Sequence, residues 1–285
     1  EEKIGYALAD VRDDIVIATK SGGTTYDAVM RDLETSLTGL RTDHVDILQL
    51  HNPAAVPDPD DPQSSYAALS AAREQGMVRH LGITNHRLPV AREAVASGLF
   101  ETLQYPLSAI SNDDDLGVID LCRAHDVGVI AMKGMCGGIL DNARLAFTFL
   151  RRYDNVVPIW GCQRLEELEE FLALDADPPA YDEDMQALAA EKAEELGDNF
   201  CRACGYCLPC PVEINIPMAA RMRYCLKRMP TDRLLSAEFR ETMLRINDCT
   251  HCQQCHERCP YDLYPDQLMV EMLDEYEAAY ARAHG

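Results

Sequence analysis

The sequence has a single tryptophan and only 7% aromatic residues, and its 26 Lys and Arg are outnumbered by 48 Asp and Glu, for a formal charge of −22. Nucleic-acid affinity rests on clustered Lys and Arg that neutralise phosphates, so this balance argues against a nucleic-acid partner. No run approaches the roughly 18 apolar residues that a membrane-spanning helix needs. The opening residues "EEKIGYALAD" have neither a basic n-region nor an apolar h-region. The expectation is a soluble, cytoplasmic chain with no membrane partner. Also missing is a G-x-G-x-x-G turn after a strand, the usual mark of a doubly wound dinucleotide-binding sheet.

Apolar residues, at 47% of 285, are enough for one large core and a small second unit. Short β-rich runs recur along residues 15–161: "IVIATK", "VDILQLH", "HLGITN", "TLQYP", "VGVIAMK" and "VVPIWG". Between them lie "YDAVMRDLETSLTGL", "SYAALSAAREQG" and "LPVAREAVASG", with apolar residues at three and four spacing, and Gly at the C′ position of the last two. Strand, helix, strand repetition predicts a parallel sheet. Each run ends in a residue that a buried strand would not choose: Lys20, His51, Asn85, Gln104, Lys133 and Gly161. In a (β/α)8 barrel the C-terminal strand ends form one rim that carries the active site, so the expected fold is an α/β barrel of this type with about six strands visible. Residues 1–175 form the barrel, 176–200 an acidic linker with a bridging helix broken from the barrel at Pro178 and Pro179, and 201–285 a small, mainly helical ferredoxin-like domain.

Twelve cysteines are unevenly placed. Cys122, Cys136, Cys162 and Cys225 are scattered and read as small core residues. Cys201, Cys204, Cys207 and Cys210 form C-x2-C-x2-C-x2-C-P, and Cys249, Cys252, Cys255 and Cys259 form C-x2-C-x2-C-x3-C-P. A disulfide framework belongs to secreted chains, and structural zinc prefers two ligand pairs separated by a longer loop. Three thiolates at three-residue spacing instead wrap one corner of a cubane and leave the fourth ligand to come from elsewhere. Two such runs predict two [4Fe-4S] clusters. Because the fourth Cys crosses over in two-cluster ferredoxins, Cys201, Cys204 and Cys207 pair with Cys259, and Cys249, Cys252 and Cys255 with Cys210. His251 and His256 are solvated or lie behind the ligands. Arg221, Arg223, Lys227, Arg228 and Arg233, between the runs, either offset cluster charge or form a solvated helix face.

The segments "VIATK", "DILQLHNP", "LGITN", "LQYP", "VIAMKGMCGGIL" and "VPIWGCQRLEELEE" follow one another as in the aldo/keto reductases, and the chain resembles the subgroup of that family with a C-terminal ferredoxin-like domain. The resemblance implies a tetrad of Asp, Tyr, Lys and His that protonates a carbonyl oxygen while a nicotinamide, NADP or NAD, delivers hydride to carbon. Lys20 matches the lysine and His51 the histidine. Asn85 and Gln104 resemble the residues that hold the carboxamide. Lys133 with Gly134, Gly137 and Gly138 matches the pyrophosphate loop, and Gly161, Gln163 and Arg164 the loop at the adenosine end. The Asp and Tyr of the tetrad would lie upstream of Glu1, with the first strand, first helix and second strand of the barrel. Met132 stands where many relatives place an aromatic residue, and Glu167 and Phe171 replace amides near the adenine. The implied partners are a small carbonyl or alcohol substrate and a redox partner protein. The alternative is a barrel without chemistry that docks a partner while the ferredoxin-like tail conducts electrons.

Overall fold

The computed structural model describes residues 1–285 except 197 and 198, which fall in the expected linker, and the side chain of Arg228. Six strands form one sheet in the order β1 to β6: β1 (Ala18–Ser21), β2 (Val45–His51), β3 (Val78–Thr84), β4 (Thr102–Pro106), β5 (Gly128–Met132) and β6 (Val156–Pro158). All five pairings are parallel. Every strand end therefore faces the same way, and the polar residues that close the runs collect along one edge.

Three of the crossover helices carry a side-chain cap as their start signal. Thr25 accepts from the N–H of Ala28 at the head of Tyr26–Leu40, Ser64 from Ala67 before Ser65–Glu74, and Asn112 from Asp115 before Asp113–Ala124. Val29, Leu33, Ser36 and Leu40 fall on one buried face of the first of these, at the three and four spacing that packs a helix on a sheet. β1 starts later than its apolar run. The N–H of Ile17 goes to the Asp46 carboxylate at 2.8 Å, and its carbonyl accepts from Asp46 and Ile47, so Ile15 to Ile17 form no regular ladder. Asp46 is buried and paired with Arg12 at 3.0 Å and Arg79 at 2.6 Å, which explains a carboxylate inside an apolar strand.

The chain divides into two compact units: residues 1–134 with 147–179, and residues 135–146 with 180–285. In the first, helix Leu165–Ala176 follows β6. In the second, helix Glu183–Leu196 starts after Pro178 and Pro179, and the loop after β5 is included. The core of the second unit is built on helix Pro265–His284, whose Leu268, Met269, Met272, Leu273 and Tyr276 are buried against Met222, Cys225, Met243 and Ile246. The Tyr276 hydroxyl donates to the carbonyl of Leu234 at 2.7 Å, satisfying the one polar atom that this ring brings inside.

Candidate functional site

Lys20 lies near the end of β1 and His51 ends β2, with Lys20 opposite Gln49 and His51 opposite Thr84 in the ladders. Burial lowers the Lys20 ammonium pKa. His51 is also lowered, first by desolvation and then by the charge of Lys20, so the two side chains act on one another and the imidazole is held neutral. Nothing in the sequence marks Gln49. It is fully buried, and among the described residues both polar atoms of its amide lack a partner.

Asn85 follows β3. Its amide donates to the Pro53 carbonyl at 2.9 Å and accepts from the N–H of Arg87 at 2.8 Å, so it holds two loops in place. Gln104 on β4 is buried and donates to the Met132 sulfur at 3.4 Å. Lys133 takes a left-handed φ of 61°. Gly134 must be Gly for a reason inside the protein: a Cβ there would lie 2.6 Å from the Trp160 ring. Gly137 and Gly138 belong to the second unit, where the carbonyl of Gly137 accepts from Arg221 at 2.9 Å.

Gly161, Gln163 and Arg164 lead into helix Leu165–Ala176. The carboxylate of Glu167 turns back on this loop, accepting from the N–H of Gln163 at 2.7 Å and of Arg164 at 3.4 Å and pairing with the Arg164 guanidinium at 3.4 Å. These contacts, led by the Gln163 N–H, hold the carboxyl below its usual range. Phe171 stacks on Trp160 and is a core residue.

None of the twelve cysteines is in a disulfide. Cys210, Cys249, Cys252 and Cys255 line one cavity, with Cys207 at its wall. Cys201 feels the charges of Cys204 and Cys259, and Cys207 those of Cys201 and Cys204. The N–H of Ala203, a residue with φ 51°, donates to the Cys201 sulfur at 3.4 Å. Burial pushes the Cys207 thiol up to about 12. A thiolate there needs compensating positive charge, which iron supplies when bound. Among the described residues no group of His, Cys, Asp and Glu is arranged to hold a single metal ion. Thiols spaced around a cavity suit a larger, cubane-sized occupant, and this donor set fits iron-sulfur clusters. Of the basic residues between the runs, Arg223 pairs with Glu275 and Lys227 with Glu195, while the side chain of Arg228 lies outside the described residues. His251 and Gln253 both contact the buried Asp266, and His256 stacks on Tyr264. Cys122 and Cys225 sit in apolar cores.

Residues 200–264 match the model of the 4Fe-4S dicluster domain. The uncharacterized oxidoreductase YqkF of Bacillus subtilis is 26% identical over 157 residues, 51% of this chain and 50% of that protein. The methylglyoxal reductase DkgA of Yersinia pestis is 36% identical over 92 residues, 31% of this chain and 32% of its own. The chain thus spans about half the length, or less, of these curated relatives. The aldo-keto reductase AKR11C1 of Bacillus halodurans, in its apo form, superposes with a TM-score of 0.57 at 20% identity, covering 67% of this chain and 76% of that one, a likeness of fold. Residues 1–173 match the model of the aldo/keto reductase family, six parallel strands of its barrel are present in order, and the chain belongs to that family.

Proposed function

We propose that the protein is an iron-sulfur oxidoreductase of aldo/keto reductase type, in which a small carbonyl compound or alcohol reacts at the strand ends and electrons pass through two [4Fe-4S] clusters. The observation that carries this reading is the pair at the ends of β1 and β2, where desolvation first and the charge of the half-buried Lys20 second lower the pKa of His51. The nicotinamide would supply hydride to the carbonyl carbon, and a proton must reach the oxygen for the alcohol to form. A desolvated ammonium lowers the pKa of a neighbouring acid, and a neutral imidazole can relay a proton to it. Asn85 and Gln104 supply amides on the adjoining strands, Gln104 for the carboxamide directly and Asn85 by fixing the loops beside it.

In the second unit Cys201, Cys204, Cys207 and Cys259 would hold one cluster and Cys249, Cys252, Cys255 and Cys210 the other. A hydride carries two electrons and such a cluster passes one, so exchange between nicotinamide and clusters needs a two-electron to one-electron converter such as a flavin, which a redox partner protein would supply.

The test is oxidation of NADH or NADPH with a panel of aldehydes by anaerobically prepared protein that carries, upstream of Glu1, the Asp and Tyr that the resemblance implies. Lys20→Met and His51→Gln should each lower kcat/KM by a factor of about 100 to 10,000. Turnover unaffected by both substitutions would overturn the assignment of the rim. Cluster reduction by a chemical donor with no aldehyde turnover in any form would favour a docking and electron-transfer module.

A further inference from the structure

Arg221 differs from Arg223 and Lys227, its neighbours between the cysteine runs. Arg223 and Lys227 are satisfied by carboxylates. Among the described residues Arg221 has no carboxylate partner: its Nη2 donates to the carbonyl oxygen of Gly137 at 2.9 Å, and its buried Nε has no hydrogen-bond partner. A guanidinium is always charged, and burying an N–H without an acceptor is costly, so such an atom calls for an acceptor. The loop that clamps it is close-packed. A Cβ on Gly137, which has φ 67°, would lie 3.1 Å from Arg221 Nη1 and 3.3 Å from the carbonyl oxygen of Arg202, the neighbour of Cys201. The charge of Arg221 also reaches Cys201, where it favours the thiolate.

We propose that Arg221 is a positioning residue of the first cluster: held at one end by Gly137, it directs its buried Nε–H to the sulfur of the cluster bound by Cys201, Cys204 and Cys207, and so ties the loop 135–146 to that cluster. The inference rests on the cluster reading above. Reduction adds one electron to a cage rich in sulfur, with no bond made or broken, and an N–H donor carrying positive charge favours the reduced form. Arg221 therefore raises the potential of this cluster. It also fixes the loop whose glycines the family resemblance assigns to the pyrophosphate.

The test is a redox titration of the anaerobic holoprotein followed by electron paramagnetic resonance, with the signal of the first cluster identified through Cys204→Ser. Arg221→Gln should move the midpoint of that cluster to more negative potential and leave the other in place. Arg221→Lys keeps the charge but not the planar fork, and should fall between wild type and Arg221→Gln. Gly137→Ala leaves Arg221 present but displaces its clamp, and should shift the same cluster in the same direction. Equal movement of both clusters, no movement, or wild-type behaviour of Arg221→Lys would overturn the proposal. If Arg221→Gln fails to retain iron, Arg221→Lys and Gly137→Ala decide it. A wild type without two cluster signals would remove the cluster reading itself, and this proposal with it.

Discussion

Phe171 lies face to face on Trp160, with ring centroids 4.3 Å apart and planes 12° apart, and the indole also closes on Gly134. The only tryptophan of the chain thus pins helix Leu165–Ala176 to the turn that leaves β5. Phe171→Ala removes a buried ring and one side of this stack, and should cost about 3–5 kcal/mol of unfolding free energy. Trp160 fluorescence should shift to the red in the folded variant. Chemical denaturation followed by circular dichroism checks both. A loss below about 1 kcal/mol would mean that the stack contributes little and that the indole is held by Gly134 and Phe147.

Much of this architecture is legible in the sequence because parallel strands covered on both faces need continuous apolar runs, and the six runs stand apart from the helices between them. The helix ends at Gly76 and Gly98 are equally plain, since both residues take φ values that favour Gly. What the sequence hides is side-chain partnership. Asp46 looks like an interruption of a strand until Arg12 and Arg79 are found beside it, one contributed from before β1 and the other from β3. Gln49 gave no signal, because a lone amide in an apolar run is indistinguishable from a solvated strand position. The eight ligand cysteines are readable from local spacing alone, whereas the link from Arg221 to Gly137 joins residues 84 positions apart. Gly134 reads as backbone left open for a cofactor, yet its missing side chain makes room for the Trp160 indole.

The neutrality of His51 gives a pH dependence with a defined sign. Its folded-state pKa is lowered, by burial first and by Lys20 second, so the unfolded chain takes up the proton before the folded one. The His51 contribution to stability is therefore full above the unfolded value of about 6.5 and is lost as pH falls from there toward the lower folded value. Lys20→Met removes the repelling charge but not the burial, so the imidazole pKa should rise part of the way back. A proton NMR titration of the His51 ring measures this, and an unchanged or lower pKa in the variant would separate the two residues.

Glu167 bears on which nicotinamide the protein accepts. Its carboxylate already takes the N–H groups of Gln163 and Arg164 and the Arg164 side chain, the donors that a 2′-phosphate at the adenosine end would need. A second anion there meets a like charge on a partly exposed carboxylate. NADPH should therefore bind more weakly than NADH by a factor of about three to ten at low salt. Glu167→Gln should narrow that ratio mainly by strengthening NADPH. Quenching of Trp160 fluorescence reads both affinities, and equal binding of the two nucleotides by the wild type would place the adenosine end elsewhere.

The pairing of the cysteine runs is open to a direct test. Cys210 and Cys207 line the same cavity as Cys249, Cys252 and Cys255, while Cys259 acts on Cys201, and the proposed pairing has each run contribute its last thiol to the other's cage. Protein prepared without oxygen should hold about eight iron atoms per chain, following from two four-iron clusters. Cys259→Ser should damage the cluster held by Cys201, Cys204 and Cys207, and Cys210→Ser the one held by Cys249, Cys252 and Cys255. Each variant should keep one intact cluster, because the remaining run still has three thiolates and the fourth from its partner. Iron analysis with electron paramagnetic resonance of the reduced protein distinguishes the two losses. Damage in Cys259→Ser confined to the cluster of Cys249, Cys252 and Cys255 would show that each run closes its own cage, and stoichiometric zinc with little iron would show that the thiols serve a different metal.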